Sequence, residues 1–116
     1  GASHAIGHIL GGTAGVPHGH TSCVMLPSVL EWNKTINSER QANLSEALGK
    51  PNIPASEILH ELIDGLGLPR NLTAVGVKRE QFPQLAENCM LDDWTFSNPR
   101  KINTPEQVIE ILELAI

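Results

Sequence analysis

Aromatic side chains are nearly missing from this chain: 116 residues hold two Trp, two Phe and no Tyr. Its core must therefore be filled by Leu, Ile, Val and Ala, which suits helices packed on helices. Cysteine is also scarce. Cys23 and Cys89 lie far apart and outside any Cys-x-x-Cys spacing, which excludes a disulfide framework. Both have apolar neighbours (Val24 and Met25; Met90 and Leu91), so two buried thiols in a reducing, cytoplasmic compartment are expected. Basic residues are outnumbered, 8 Lys and Arg against 13 Asp and Glu, for a net charge of -5. With no basic patch and no Lys/Arg run interleaved with aromatics, nucleic acid is not an expected partner. No stretch approaches the ~20 apolar residues of a membrane helix, so no membrane partner is expected. No basic region followed by an apolar core opens the chain, so no signal peptide is read. Internal repeats and low-complexity segments are absent as well.

What is present is a 41% hydrophobic composition in a chain of one-domain length. Pro and Gly divide it into helix-length pieces. Gly1–Leu10 reads as the end of a helix, stopped by Gly11-Gly12. A second piece, from Gly19 to Asn33, is apolar nearly all round and should be buried on every side, with Pro27 bending or dividing it. A third spans Ser38–Leu48 and ends at Gly49. In Ala55–Leu66, Ile58, Leu59, Leu62, Ile63 and Leu66 form a stripe at helical spacing. Gly67 and Pro69 stop that helix. Arg70–Lys78 reads as a turn region anchored by Leu72 and Val75. Gln81–Asp92 is a further helix, with Phe82, Leu85, Ala86 and Cys89 on one face. The last helix has the clearest start: Thr104 caps, Pro105 fits the first position and Gln107 completes a capping box. Its inner face is Val108, Ile111, Leu112 and Ala115. Alternation at period two never persists. The expected fold is a single all-α domain over residues 1–116, a bundle of five or six helices.

Four of the five histidines fall in the first 20 residues: His4, His8, His18 and His20. A helix puts His4 and His8 on one face. The Gly15–Pro17 loop is able to fold back and bring His18 alongside. Neutral imidazole binds Zn²⁺ and Fe²⁺, and two or three imidazoles with a carboxylate make a workable site. A His-x-x-x-His pair alone is more often structural. Here, small residues (Gly1, Ala2, Ala5, Gly7) permit close approach, and Pro17-His18-Gly19 directly precedes a buried helix. Elsewhere the plainer readings are preferred. His20 is a polar residue near the loop and His60 a surface residue. Asp92-Asp93 is a solvated helix end and Asn98-Pro99-Arg100 a structural turn. Glu57, Glu61, Glu106, Glu110 and Glu113 lie on solvated faces.

The string His4-Ala5-Ile6-Gly7-His8, then Gly11-Gly12-Thr13, Pro17-His18-Gly19, Leu26-Pro27 and Asn33, resembles the iron-containing (group III) alcohol dehydrogenases. Within that family, Leu10-Gly11-Gly12-Thr13 and Val16-Pro17-His18 look most like the maleylacetate reductases. The resemblance continues through Gly67-Leu68-Pro69, Leu72 and Gly76-Val77. It ends at Asp93 and Asn98-Pro99-Arg100 before the closing helix, and so covers nearly the whole chain. It implies a two-domain enzyme: an α/β domain that binds NAD(P), and an all-helical C-terminal domain carrying most metal ligands. It also implies an Asp and three His holding Fe²⁺ or Zn²⁺, which polarises the alcohol or carbonyl oxygen during hydride transfer. By motif, His4 and His18 match metal-ligand positions, and His8 matches a catalytic, non-ligand histidine beside nicotinamide and substrate.

The family's other two ligands, an Asp and a His four residues on, precede the histidine segment and have no counterpart here. There is also no Gly-rich phosphate loop and no strand–helix alternation, so no residue is assigned to cofactor binding. The leading expectation is a C-terminal domain of such a reductase, without NAD(P)-dependent activity alone, with NAD(P) bound only if a partner chain supplies the nucleotide domain. The first rival is a helical assembly module that dimerises. The second is a residual metal or small-ligand binder using His4, His8 and His18.

Overall fold

The computed structural model describes residues 1–116. It is all-helical, with five α-helices and three short 3₁₀ turns. The helices are α1 (Ala2–Ala14), α2 (His18–Ala47), α3 (Ala55–Gly65), α4 (Phe82–Cys89) and α5 (Pro105–Leu114). The 3₁₀ turns are Thr73–Val75, Arg79–Gln81 and Asp93–Ser97. The expected all-α class is therefore observed.

One continuous core joins α1, α2, α4 and α5. Ile6 and Leu10 from α1, Met25 from α2, Leu85 from α4, and Ile111 and Leu112 from α5 are fully buried. Each lies on one stripe of its helix, and removing such stripes from water drives the assembly. Leu72 anchors the turn region as expected: its amide donates to the Ala115 carbonyl at 2.7 Å, tying that turn to the end of α5. Gln107 Oε1 accepts from the Thr104 amide at 3.2 Å, so α5 begins where its sequence signal places it.

Two expected breaks are not observed. Gly11-Gly12 does not stop α1, which runs to Ala14. The stop is Gly15, in the left-handed region at φ 68°, with the Val16 amide reaching back to the Leu10 carbonyl at 3.2 Å. A residue with a Cβ is disfavoured there, whereas a mid-helix Gly costs only about 1 kcal/mol. Pro27 does not divide the second piece either. Its ring is fully buried, and α2 continues through it. A break does occur at Asn37 (φ -125°, ψ 33°), in the gap expected between the second and third pieces. There Gln41 Nε2 donates to the Leu30 carbonyl and to Asn37 Oδ1, both at 2.8 Å, stitching the kink closed.

Nor is α2 buried on every side. Val24, Met25, Val29 and Trp32 are buried, but Leu26 is exposed and Cys23 and Leu30 are half-buried. On α3 the apolar stripe is only partly used: Ile58 and Ile63 are buried, while Leu62 and Leu66 face out. Ser56 Oγ donates to Glu31 across the α2–α3 contact at 3.1 Å. The Lys34 ammonium beside Glu31 holds that carboxyl below its ordinary range, against the opposing effect of partial burial.

Candidate active site

Helix α1 sets the geometry. His4 and His8 stand one turn apart on its outer face, with ring centroids 4.2 Å apart and planes tilted by 58°. An adjoining face of α1 is held against α2 by a missing side chain: a Cβ on Gly7 would come within 3.1 Å of Thr21 Oγ1 and 3.2 Å of Thr21 Cβ. Thr21 Oγ1 donates in turn to the His18 carbonyl at 2.9 Å, fixing the first turn of α2. The small residues noted in the histidine segment thus do permit close packing at Gly7.

The segment from Asp92 to Arg100 lies against α1 and completes the site. Asp92 caps the 3₁₀ turn, its Oδ1 accepting from the Trp94 amide at 2.9 Å. Its other oxygen sits 3.6 Å from His8 Nδ1, beyond hydrogen-bond length. Trp94 meets His4 edge-on, with centroids 5.4 Å apart. Asp92 is therefore not the solvated helix end expected from the sequence. Only 15% of its side chain is exposed, and it faces His8. Asp93 is exposed, as expected. Sequence reasoning missed Trp94 altogether. Its signal was available: one of four aromatics in the chain, two residues after an Asp able to form an Asx turn.

Asn98 locks this segment in place. Its Oδ1 accepts from the Ala2 amide and from Asn33 Nδ2, each at 3.2 Å. Its Nδ2 donates to Asn33 Oδ1 at 2.7 Å and to the Arg100 carbonyl at 2.8 Å. Arg100 then stacks over Trp32 at 3.9 Å and donates to the Trp32 carbonyl at 3.0 Å. The expected structural turn is thus the clasp that registers Asp92 and Trp94 against His8 and His4.

His18 is the first residue of α2, and it is exposed, as are His4 and His8. No three or more His, Cys, Asp or Glu side chains gather closely enough to hold a metal ion. His20 is half-buried near the loop. His60, expected at the surface, is also half-buried, because α3 turns it toward Ser28 and Leu114. Cys89 is fully buried, and burial, with Asp92 nearby, pushes its thiol up to about 12. Cys23, expected to be buried too, is only half-buried on the outer side of α2.

The all-helical fold thus carries two imidazoles, a carboxylate and an indole on one open face. The chain belongs to the Fe-containing alcohol dehydrogenase family and matches its C-terminal region over residues 1–116. It is 36% identical to 1,3-propanediol dehydrogenase of Citrobacter freundii, over 97% of this chain and 31% of that protein. A crystal structure of 1,3-propanediol oxidoreductase superposes with a TM-score of 0.90 at 33% identity, over 100% of this chain and 32% of that one. Maleylacetate reductase from Agrobacterium tumefaciens is also a structural neighbour, with a TM-score of 0.83 at 26% identity, over 100% of this chain and 31% of that one. The chain thus spans about a third of the length of the relatives it matches.

Proposed function

We propose that this chain is the helical, metal-side domain of an iron-type alcohol dehydrogenase or maleylacetate reductase-like oxidoreductase. In this reading His4 and His18 are metal ligands and His8 is the histidine beside the substrate. The observation that carries it is the His4–His8 pair, faced by Asp92 and Trp94, on a fold shared by the family. The donor set does not complete a metal site by itself. Two imidazoles are half of the usual four-ligand set for Fe²⁺ or Zn²⁺, and no third donor joins them here. Metal, when bound by a complete set, supplies a Lewis acid for the substrate oxygen. No strand–loop–helix phosphate cradle is present in the all-helical fold, so NAD(P) would be held by a nucleotide-binding chain or domain.

Calorimetry with Zn²⁺ and Fe²⁺ tests the ligand assignment. Weak binding that disappears in a His4→Ala/His18→Ala variant is expected. Binding unchanged in that variant would remove both residues from the ligand set.

A second reading is a helical assembly module that dimerises. It is favoured by Leu62 and Leu66, one turn apart on α3 and 53% and 64% exposed. A chain that stays monomeric at every concentration in ultracentrifugation would contradict it.

A further inference from the structure

Outside the histidine segment, α2, α3 and the end of α5 border a hollow of about 290 Å³, near the lower end of small-molecule sites. Helix α2 contributes Ser28 and Glu31, α3 contributes Ser56, Glu57 and His60, and α5 contributes Leu114. Ser28 is the unusual member. It is only 3% exposed, yet its hydroxyl makes no hydrogen bond within the chain, whereas the Thr21 hydroxyl on the same helix bonds back to the His18 carbonyl. Every fully buried side-chain oxygen and nitrogen of the molecule has a partner. The Ser28 oxygen therefore keeps an opening, and this is the hollow that Ser28 lines. A hydroxyl so placed is satisfied only by what enters from outside.

The groups around it are acceptors. Glu31 and Glu57 are carboxylates, and a neutral imidazole at His60 offers a ring nitrogen. Leu114 is the last residue of α5, so the helix end with unpaired carbonyls and partial negative charge also lies here. None of the eight Lys and Arg residues lines the hollow. Two positive influences stand at its edge. Lys34 pairs with Glu31 from outside, and the other oxygen of Glu31 accepts from Ser56, so Glu31 is fully used. The positive end of α3 is offset by Glu57 in its own first turn. Glu57 forms no ion pair and is the carboxylate left for a ligand. A metal ion does not fit, because no three His, Cys, Asp or Glu side chains gather closely enough to hold one. A primary ammonium asks less of the geometry: its three N–H donors diverge and reach acceptors at about 2.8–3.0 Å.

We infer that this hollow binds a small primary amine in its ammonium form, with its N–H groups shared among Ser28, His60 and Glu57. Leu114, 49% exposed, is the apolar wall for a body of a few carbons. The site shares no residue with the His4–His8 face and does not depend on the metal-side reading of that face.

The test is an amide NMR titration of the chain in EDTA at pH 8, with n-butylammonium as the probe. Its controls are n-butanol, which has the same body without charge, and tetramethylammonium, which has the charge without N–H donors. Butylammonium is expected to shift the amides of Ser28, Glu57, His60 and Leu114, and both controls should bind at least about fivefold more weakly. Ser28→Ala removes a hydroxyl that no group of the chain uses, so the fold is kept. It should weaken butylammonium binding by about fivefold, and Glu57→Gln should do so by a similar factor. Either control binding as well as butylammonium overturns the inference. So does an affinity unchanged in either variant, which would mark a loose pairing with surface carboxylates, and so does the lack of any response. None of these outcomes bears on the ligand roles of His4 and His18, which calorimetry with Zn²⁺ and Fe²⁺ decides separately.

Discussion

Asn98 has no chemistry to offer a substrate, yet its carboxamide decides where the chemistry-bearing residues stand. It uses both donor hydrogens and accepts twice, within a buried setting shared with Asn33. Truncating it strands Asn33 and the Ala2 amide without partners, and an orphaned buried polar group costs about 1–3 kcal/mol. Asn98→Ala should therefore lower stability in urea by about 2–3 kcal/mol. The double variant with Asn33→Ala should cost clearly less than the sum of the single changes, because each has already broken the shared bonds. Additive costs would mean that the two carboxamides act independently. The thiols offer a second check at this scale. Folded Cys89 keeps its proton up to about 12, whereas an unfolded cysteine loses it near the ordinary 9.0. The folded state thus binds the proton more tightly, so this contribution is intact below pH 9.0 and falls away as pH rises toward 12. Alkylation of the native protein at neutral pH should label Cys23 alone, with Cys89 reacting only after unfolding. Rapid labelling of Cys89 in the folded protein would contradict its burial.

Between elements, the contact that matters most for the site is α1 on α2. Gly7 lets the two helices approach, and its neighbour Thr21 is held by its own bond to the His18 carbonyl. An added methyl meets Thr21 Cβ, which no rotamer change can move away. Gly7→Ala should therefore destabilise by about 1 kcal/mol, despite the helix propensity it gains. Gly12 sits in the same helix with open space where its Cβ would be. Gly12→Ala should stabilise by about 0.5–1 kcal/mol, and thermal melts of the two variants should move in opposite directions. A shift in the same direction would mean that α1 is not packed as described. The elements also show what local signals can specify. The capping box at Thr104 and Gln107, the stop at Gly67 and the inner faces of α4 and α5 were all legible, because each is set by residues within one or two turns. Gly11-Gly12, and Pro27 read as a divider, misled because burial outweighs what they cost a helix. Leu10 and the Pro27 ring are fully buried by distant parts of the chain, and helix continuation follows from that packing. The Asn37 kink falls in the gap left between the pieces read as Gly19–Asn33 and Ser38–Leu48, whereas the bond from Gln41 to the Leu30 carbonyl that closes it was not legible.

At the scale of the whole molecule, ancestry was legible and the site only in part. His4 and His8 could be paired from their spacing alone, since a helix fixes that relation. Asp92 and Trp94 could not be added to them, because the juxtaposition passes through the Asn98 clasp and joins residues more than 80 positions apart in sequence. The chain has the helical fold of this family, spans about a third of its relatives and shows no phosphate cradle. Hydride transfer needs the nicotinamide beside the substrate's carbinol or carbonyl carbon, and His8 alone cannot provide that. The decisive measurement is NAD(P)H oxidation by the purified chain, supplied with Fe²⁺ or Zn²⁺ and with maleylacetate or small aldehydes as substrates. The proposed function predicts no turnover above the protein-free rate. Sustained turnover that vanishes in His8→Ala would contradict it, by showing a complete active site within these 116 residues.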